Sequence, residues 1–364
     1  MRVAVVGLGL IGGSVGLAAA GRGDEVVAFD PDPDAAAAGL ETGAAMSVAD
    51  SLEGAVAAAD IAVVCGPVAR LPELVGRTLE ATGAGCAVSD VGSTKARLMA
   101  AAGRSGRFVG GHPVCGSEAR GVRNARADMF TGATWFLTPA AETDPECHRR
   151  LHAFVAGLGA RPVAIDPDAH DRLVALTSHL PHAIANVLMN QAGSGRVDGH
   201  DPLAAVGGSF RDMTRVAGAN ARIWVDIFLD NRDALLDGLR EHSRRIDELT
   251  RALEREDAGF IARWVAEASG NRRRLLQAAY PAVPEELYRV RVHVPDRPGV
   301  LSGITQALGA ERINIEDFEL HHVSPERGGT LTLLVEGEGE AQRASALLES
   351  QGYSVVVSAV LDAD

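Results

Sequence analysis

The chain has 364 residues, 46% of them apolar, and a formal net charge of −13. That is enough apolar material for two or three buried cores, and so acidic a chain is a poor candidate for binding nucleic acid. No apolar run approaches the ~18 residues needed to cross a membrane, no leader is read ahead of the first strand at Arg2, and Cys65, Cys86, Cys115 and Cys147 form no CxxC pair. A cytoplasmic protein is expected, without a membrane anchor, disulfide framework or metal site.

Residues 1–165 alternate short apolar runs with Ala-rich helical stretches. The runs "RVAVVGLG", "EVVAFD", "DIAVVCG", "CAVSDVG" and "RFVGGH" predict a parallel sheet covered on both faces, an α/β domain of the Rossmann type. Its ligands belong at the strand C-termini. The first run ends in "GLGLIG", Gly7, Leu8, Gly9, Leu10, Ile11 and Gly12. This GxGxxG sits between a strand and a helix, where Gly7 allows the turn, Gly9 admits a pyrophosphate and Gly12 permits close helix packing. Asp30 follows 18 residues after Gly12. A carboxylate there bonds ribose hydroxyls and repels a 2′-phosphate, so NAD is expected rather than NADP. The alternative for Asp30 is a helix cap before "PDPDAAAA".

A nicotinamide carries hydride chemistry itself, and the protein must orient a substrate and handle a proton. "GGHPVCGSEARG" (110–121) offers His112 just past a strand end, held extended by Pro113, with Gly110, Gly111 and Gly116 leaving room for a ligand. Histidine titrates near neutrality and accepts a hydroxyl proton readily; the alternative is a structural turn histidine. Hydride transfer needs no nucleophile, which demotes Cys115. Glu118 either orients His112 or caps the next helix.

Residues 166–280 read as helical. Asp166 and Pro167 make a good helix start, and Pro181 should kink the helix it falls in. "SHLPH" sets His179 and His182 three apart, near one helical face, as a polar face toward substrate or a patch at the kink. "GGSFRDMTR" carries Asp212 and Arg215, and an arginine there grips a carboxylate or pairs with Asp212 on the surface. Leu235, Leu239, His242, Ile246, Leu249 and Leu253 form a heptad seam, either intramolecular packing or a dimer interface. After the linker "YPAVPEEL" (280–287), residues 288–364 read as βαββαβ, a ferredoxin-like plait, opened by the alternating "YRVRVHV".

Taken together, "GLGLIGGS", "SDVGSTK", "GGHPVCGSEARG", "HDRLVALTSHLPH" and "GGSFRDMTR" resemble, in order, the prephenate/arogenate dehydrogenase (TyrA) family of tyrosine biosynthesis. The resemblance covers most of residues 1–280. It implies a Rossmann domain (1–165) and an all-helical dimerisation domain (166–280). It also implies NAD-dependent oxidative decarboxylation of prephenate or arogenate by a homodimer. By resemblance His112 is the catalytic histidine on the ring 4-hydroxyl, and Ser93 helps hold that hydroxyl. Arg215 binds a substrate carboxylate, and His179 and His182 line the pocket. Asp212, Ser117, Glu118 and Trp224 lie near it. The family more often has alanine where Cys115 stands. "DRPGVLSGITQALGAERINIEDFEL" separately resembles an ACT domain (288–364), a class that binds amino acids. Asp296, Pro298, Gly299 and Asn314 are its candidate regulatory residues, with Asp296 able to cap the helix and tyrosine the natural effector; the alternative is a structural or dimerising plait. The motifs do not separate prephenate from arogenate or an amino-substituted prephenate. A β-hydroxyacid dehydrogenase is disfavoured because 166–280 contain no lysine. A non-catalytic sensor is disfavoured because Gly7, Gly9, Gly12, His112 and Arg215 are all present.

Overall fold

The computed structural model describes residues 1–103, 105–115, 119–279, 287–324 and 328–360. Met1–Ser243 and Arg244–Asp364 form two compact units, and the division falls inside the helix Arg232–Glu254.

The first unit is built on eight strands, β1 (Arg2–Val6), β2 (Glu25–Phe29), β3 (Ser47–Val48), β4 (Ile61–Val64), β5 (Ala87–Asp90), β6 (Phe108–Pro113), β7 (Thr134–Thr138) and β8 (Arg161–Ala164). They lie in the order β3-β2-β1-β4-β5-β6-β7-β8. The first six follow the doubly wound 3-2-1-4-5-6 order, whose switch point lies between β1 and β4. The central strands are covered on both faces, so their sequences are continuously apolar rather than alternating. One apolar layer holds Phe130, Trp135, Leu151 and Phe154, and the other Leu52, Leu71, Val75 and Phe108. The five predicted strands are all present, but the sheet is not wholly parallel. β7 runs antiparallel to β6, pairing Phe136 with His112 and Trp135 with Pro113. Among the described residues of the intervening connection there is only a short 3₁₀ turn, Val122–Asn124, and without a crossover helix the chain returns antiparallel.

The helical part begins as expected. Asp166 accepts the Ala169 N–H at 2.9 Å and caps the helix Pro167–Val174. The disruption predicted at Pro181 takes the form of a widened π turn over Ala175–His179, in which the Leu180 N–H bonds the Ala175 carbonyl five residues back. Proline has no N–H to continue the regular ladder, and its ring crowds the preceding turn. The helix Leu180–Ser194 follows, then Gly208–Thr214 and Ala221–Asp230. The last of these packs on the turn Val68–Arg70 just after β4, beside the strand C-termini. Of the heptad seam, Leu235 is buried, whereas Ile246 and Leu253 stay 47% and 58% exposed.

The second unit carries β9 (Leu287–Val294), β10 (Asp317–Ser324), β11 (Gly328–Glu336) and β12 (Ser354–Ala359), in the antiparallel order β10-β11-β9-β12. Helices Val300–Ala310 and Glu338–Ser350 complete the predicted βαββαβ plait. Val290, Val292 and Val294 alternate inward against Ile304, Leu308, Leu333 and Leu348. One expectation fails here. Asp296 does not cap the first helix; Gly299 occupies the cap position, with φ of +90° and no side-chain bond. The left-handed turn that glycine alone adopts without strain sets the helix start. Of the linker 280–287, residues 280–286 lie outside the described residues, and Leu287 opens β9.

Candidate active site

The three glycines of the GxGxxG loop have different steric surroundings. A Cβ at Gly7, whose φ is +102°, would lie 2.6 Å from the Cys65 carbonyl oxygen, and one at Gly12 would lie 1.9 Å from the Gly7 carbonyl oxygen. A Cβ at Gly9 would meet nothing within 4 Å. The outer two glycines are required by the protein's own packing, and the middle one faces open space. Leu8 is buried, and Ile11 packs against the same core. Asp30 binds this loop directly, its Oδ2 accepting the Leu8 N–H at 2.6 Å and its Oδ1 the Asp32 N–H at 2.9 Å. The cap of the next helix is Asp32, so the capping alternative for Asp30 is set aside.

His112 stands within the C-terminal end of β6 rather than past it, because β7 extends the pairing through Pro113. β1, β4, β5 and β6 run parallel, so His112 and the glycine loop share one edge of the sheet, about 14 Å apart at ~4.8 Å per strand. Gly110 and Gly111 do not provide ligand clearance as expected. A Cβ at Gly110 would lie 2.4 Å from Thr138 Oγ1, and one at Gly111 2.4 Å from the Asp90 carbonyl oxygen. They let β6 pack against its neighbours. Gly116, Ser117 and Glu118 lie outside the described residues.

Behind His112 lies a buried polar network. His112 Nδ1 is 2.8 Å from His170 Nε2, and His170 Nδ1 is 2.8 Å from Asp171 Oδ1. Asp171 also accepts the backbone N–H groups of Lys95 and Ala96, at 2.8 and 2.9 Å. Asp90 and Lys95, both 0% exposed, form an ion pair. Asp90 further accepts the Gly92 N–H at 2.7 Å and the Gly111 N–H at 2.9 Å. Burial pulls the Lys95 ammonium below its usual range, and Asp90 opposes that pull. Burial, followed by the neighbouring His170, Lys95 and His179, holds His112 well below the ordinary histidine range. A neutral imidazole is the form that accepts a proton. Cys115 is pushed up to about 11 by burial, which leaves it a thiol.

Ser93 is half-buried in the turn after β5, the strand beside β6. His179 and His182 are both buried and both meet Trp224. His182 stacks on the indole with ring centroids 3.5 Å apart, and His179 meets it edge-on at 6.0 Å. Burial lowers His179 to about 4, against the opposing pull of Asp171. Arg215 opens the turn Arg215–Gly218, which packs on the helix that carries His182. Asp212 and Arg215 are both exposed. Asp90, Lys95, His170, Asp171 and Asn231 were not singled out from sequence. The pair "HD" directly after a capped helix start, and a single lysine among 35 basic residues, were the signals available.

The three parts of the chain match three family models in turn. Residues 15–164 match the prephenate dehydrogenase nucleotide-binding domain, 166–267 its dimerisation domain and 288–352 the ACT domain. A prephenate dehydrogenase of Bacillus subtilis is 33% identical over 361 residues, covering 96% of both chains. The chain belongs to the prephenate dehydrogenase family. It is an oxidoreductase of that family and carries the family's nucleotide-binding domain. Among solved structures, the Synechocystis arogenate dehydrogenase superposes with a TM-score of 0.70 at 27% identity, covering 76% of this chain and all of that one. The Aquifex aeolicus prephenate dehydrogenase, solved with hydroxyphenyl propionate and NAD⁺, has the same TM-score at 25% identity, covering 76% of this chain and 98% of that one.

Proposed function

We infer that the chain oxidises prephenate with loss of carbon dioxide, giving 4-hydroxyphenylpyruvate, and that His112 handles the proton of the ring 4-hydroxyl. The observation that carries this reading is the position of His112. It is a partly accessible histidine, held below its usual proton affinity, on the sheet edge that also bears the dinucleotide loop. Bound NAD⁺ supplies the hydride acceptor. Gly7, Gly9 and Gly12 seat its pyrophosphate, and Asp30 receives its ribose. Ser93 shares the 4-hydroxyl with His112. Arg215 binds a substrate carboxylate, while His179, His182 and Trp224 wall the pocket, with Asp212, Ser117 and Glu118 near its rim. Aromatisation drives the decarboxylation, so the protein has only to position the ring, polarise the hydroxyl and exclude water.

The working division is a Rossmann domain (1–165), a helical dimerisation domain (166–280) and an ACT domain (288–364) in a cytoplasmic homodimer. Exposed Leu176, Val187, Met213 and Leu229, each more than 60% accessible in the single chain, suit burial against a second copy. In the ACT domain a cavity of about 340 Å³ lined by Asp296, Pro298 and Gly299 suits tyrosine as a feedback effector. Asn314 instead donates to Glu316 at 2.6 Å.

Purified protein with NAD⁺ should form NADH from prephenate. NADH from arogenate alone would move the activity to arogenate, and none from either would refute the reading. His112→Asn should lower kcat by about 10²–10⁴, and Arg215→Ala should chiefly raise KM. L-tyrosine should change the rate or raise the Tm; neither effect would remove it as effector.

A further inference from the structure

Two of the pocket histidines are wired to the same residue. One path runs from Asp171 through His170 to His112. The other runs from the Asp171 peptide carbonyl to Asn231 Nδ2 at 2.8 Å, and from that same nitrogen to His179 Nδ1 at 3.1 Å. We propose that Asp171 fixes the tautomers of both histidines in opposite senses, so that His112 offers a bare Nε2 to the substrate and His179 offers an Nε2–H. His170 and Asp171 are then positioning residues, and the inference rests on the reading of His112 as the proton acceptor.

The directions follow from what each atom is able to do. Both Asp171 carboxylate oxygens already face backbone N–H donors, Oδ1 from Lys95 and Oδ2 from Ala96. An ionised carboxylate only accepts, and its roughly four lone-pair sites take these two N–H groups with room for a third donor on Oδ1. His170 is 0% exposed, and its two ring nitrogens face His112 and Asp171. Its Nδ1 must donate to Asp171, which leaves its Nε2 bare. That nitrogen accepts from His112 Nδ1–H, so His112 Nε2 carries no proton. On the other path a peptide carbonyl only accepts, so it is the Asn231 amide NH₂ that faces Asp171. The second hydrogen of that group points to His179 Nδ1. A neutral His179 then carries its proton on Nε2.

The reaction needs this asymmetry. As hydride leaves C4, the hydroxyl proton passes to His112 Nε2 and C4 gains carbonyl character. The resulting imidazolium keeps its Nδ1–H on His170, which remains anchored to the Asp171 carboxylate. When the C1–carboxylate bond breaks, its electron pair completes the aromatic ring, and the proton returns from Nε2 to the phenolic oxygen. No net proton is released. The relay therefore needs no exit to solvent; it has to hold His112 in the accepting form and steady its transient charge.

Selective ¹⁵N labelling of the histidine rings in the intact protein, with resonances assigned through single His→Gln variants, reads the tautomers directly. The expected result is a protonated δ1 and bare ε2 nitrogen for His112, and the reverse for His179. A protonated ε2 nitrogen on resting His112 would overturn the relay. Kinetics give a second reading. His170→Leu removes the acceptor for His112, whereas His170→Gln restores one through its side-chain carbonyl. With saturating prephenate and NAD⁺, kcat should fall about 10²-fold or more in the leucine variant, with little change in either KM. The glutamine variant should recover at least about tenfold of that loss. If His112→Asn abolishes turnover while His170→Leu runs at the wild-type rate, the relay is wrong and the catalytic histidine stands. If His112→Asn itself turns over normally, the reading of the site falls first.

Discussion

Replacing Lys95 by methionine tests the buried network most directly. The substitution keeps the length of the side chain and removes its charge, stranding Asp90 at 0% exposure. Breaking a buried ion pair by removing one partner costs about 3–5 kcal/mol. Asp90 keeps the Gly92 and Gly111 N–H groups at 2.7 and 2.9 Å, which argues for the lower end, about 3 kcal/mol. At roughly 2–4 °C per kcal/mol for a unit of this size, the Tm should drop by about 6–12 °C. Calorimetry without substrate at neutral pH measures this. Adding Asp90→Asn should return much of the loss, since the uncompensated charge disappears with it. A Tm for Lys95→Met within about 2 °C of wild type would show that the pair is not paying its way against desolvation and refute the reasoning.

Gly12→Ala drives a Cβ to 1.9 Å from the Gly7 carbonyl oxygen, so it should weaken NAD⁺ binding by tenfold or more in a fluorescence titration, or fail to fold. Asp30→Ser removes the carboxylate that would repel a 2′-phosphate, and the ratio of kcat/KM for NADP⁺ to NAD⁺ should rise at least about tenfold. His179 is lowered from 6.5 to about 4, chiefly by burial. A group depressed in the folded state contributes stability that is present above pH 6.5 and is lost as the pH falls toward 4. Tm measured across that window should fall less steeply in His179→Asn than in wild type.

The parts legible in sequence are those in which cause and effect lie close along the chain. The glycine loop, Asp30 and the alternating valines of β9 each act within a few residues of their own strand or turn. Rossmann packing then carries His112 to the C-terminal edge of the sheet, since a histidine ending an apolar run in such a sheet has nowhere else to go. The network behind it was not legible. Asp90 and Lys95 meet His170 and Asp171 across some 80 residues of chain, and nothing in either segment names the other. The antiparallel return at β7 was missed for a related reason. Its cue is the lack of a crossover helix, and polar stretches such as 114–133 look alike whether they bridge parallel or antiparallel strands. Gly110 and Gly111 were assigned to a ligand because a sequence does not reveal that Thr138 and Asp90 crowd them.

Lys95 also gives the protein an unusual chemical surface. It is the chain's one lysine, and its side chain is fully enclosed. An amine-directed acylating reagent finds no lysine on the folded molecule and one on every molecule that opens the Rossmann core. Acylation at this single position, followed by mass spectrometry of the peptide that contains it, therefore counts opening events one by one. Lysine-directed cross-linkers, for the same reason, find no lysine on the folded chain to join to whatever it assembles with.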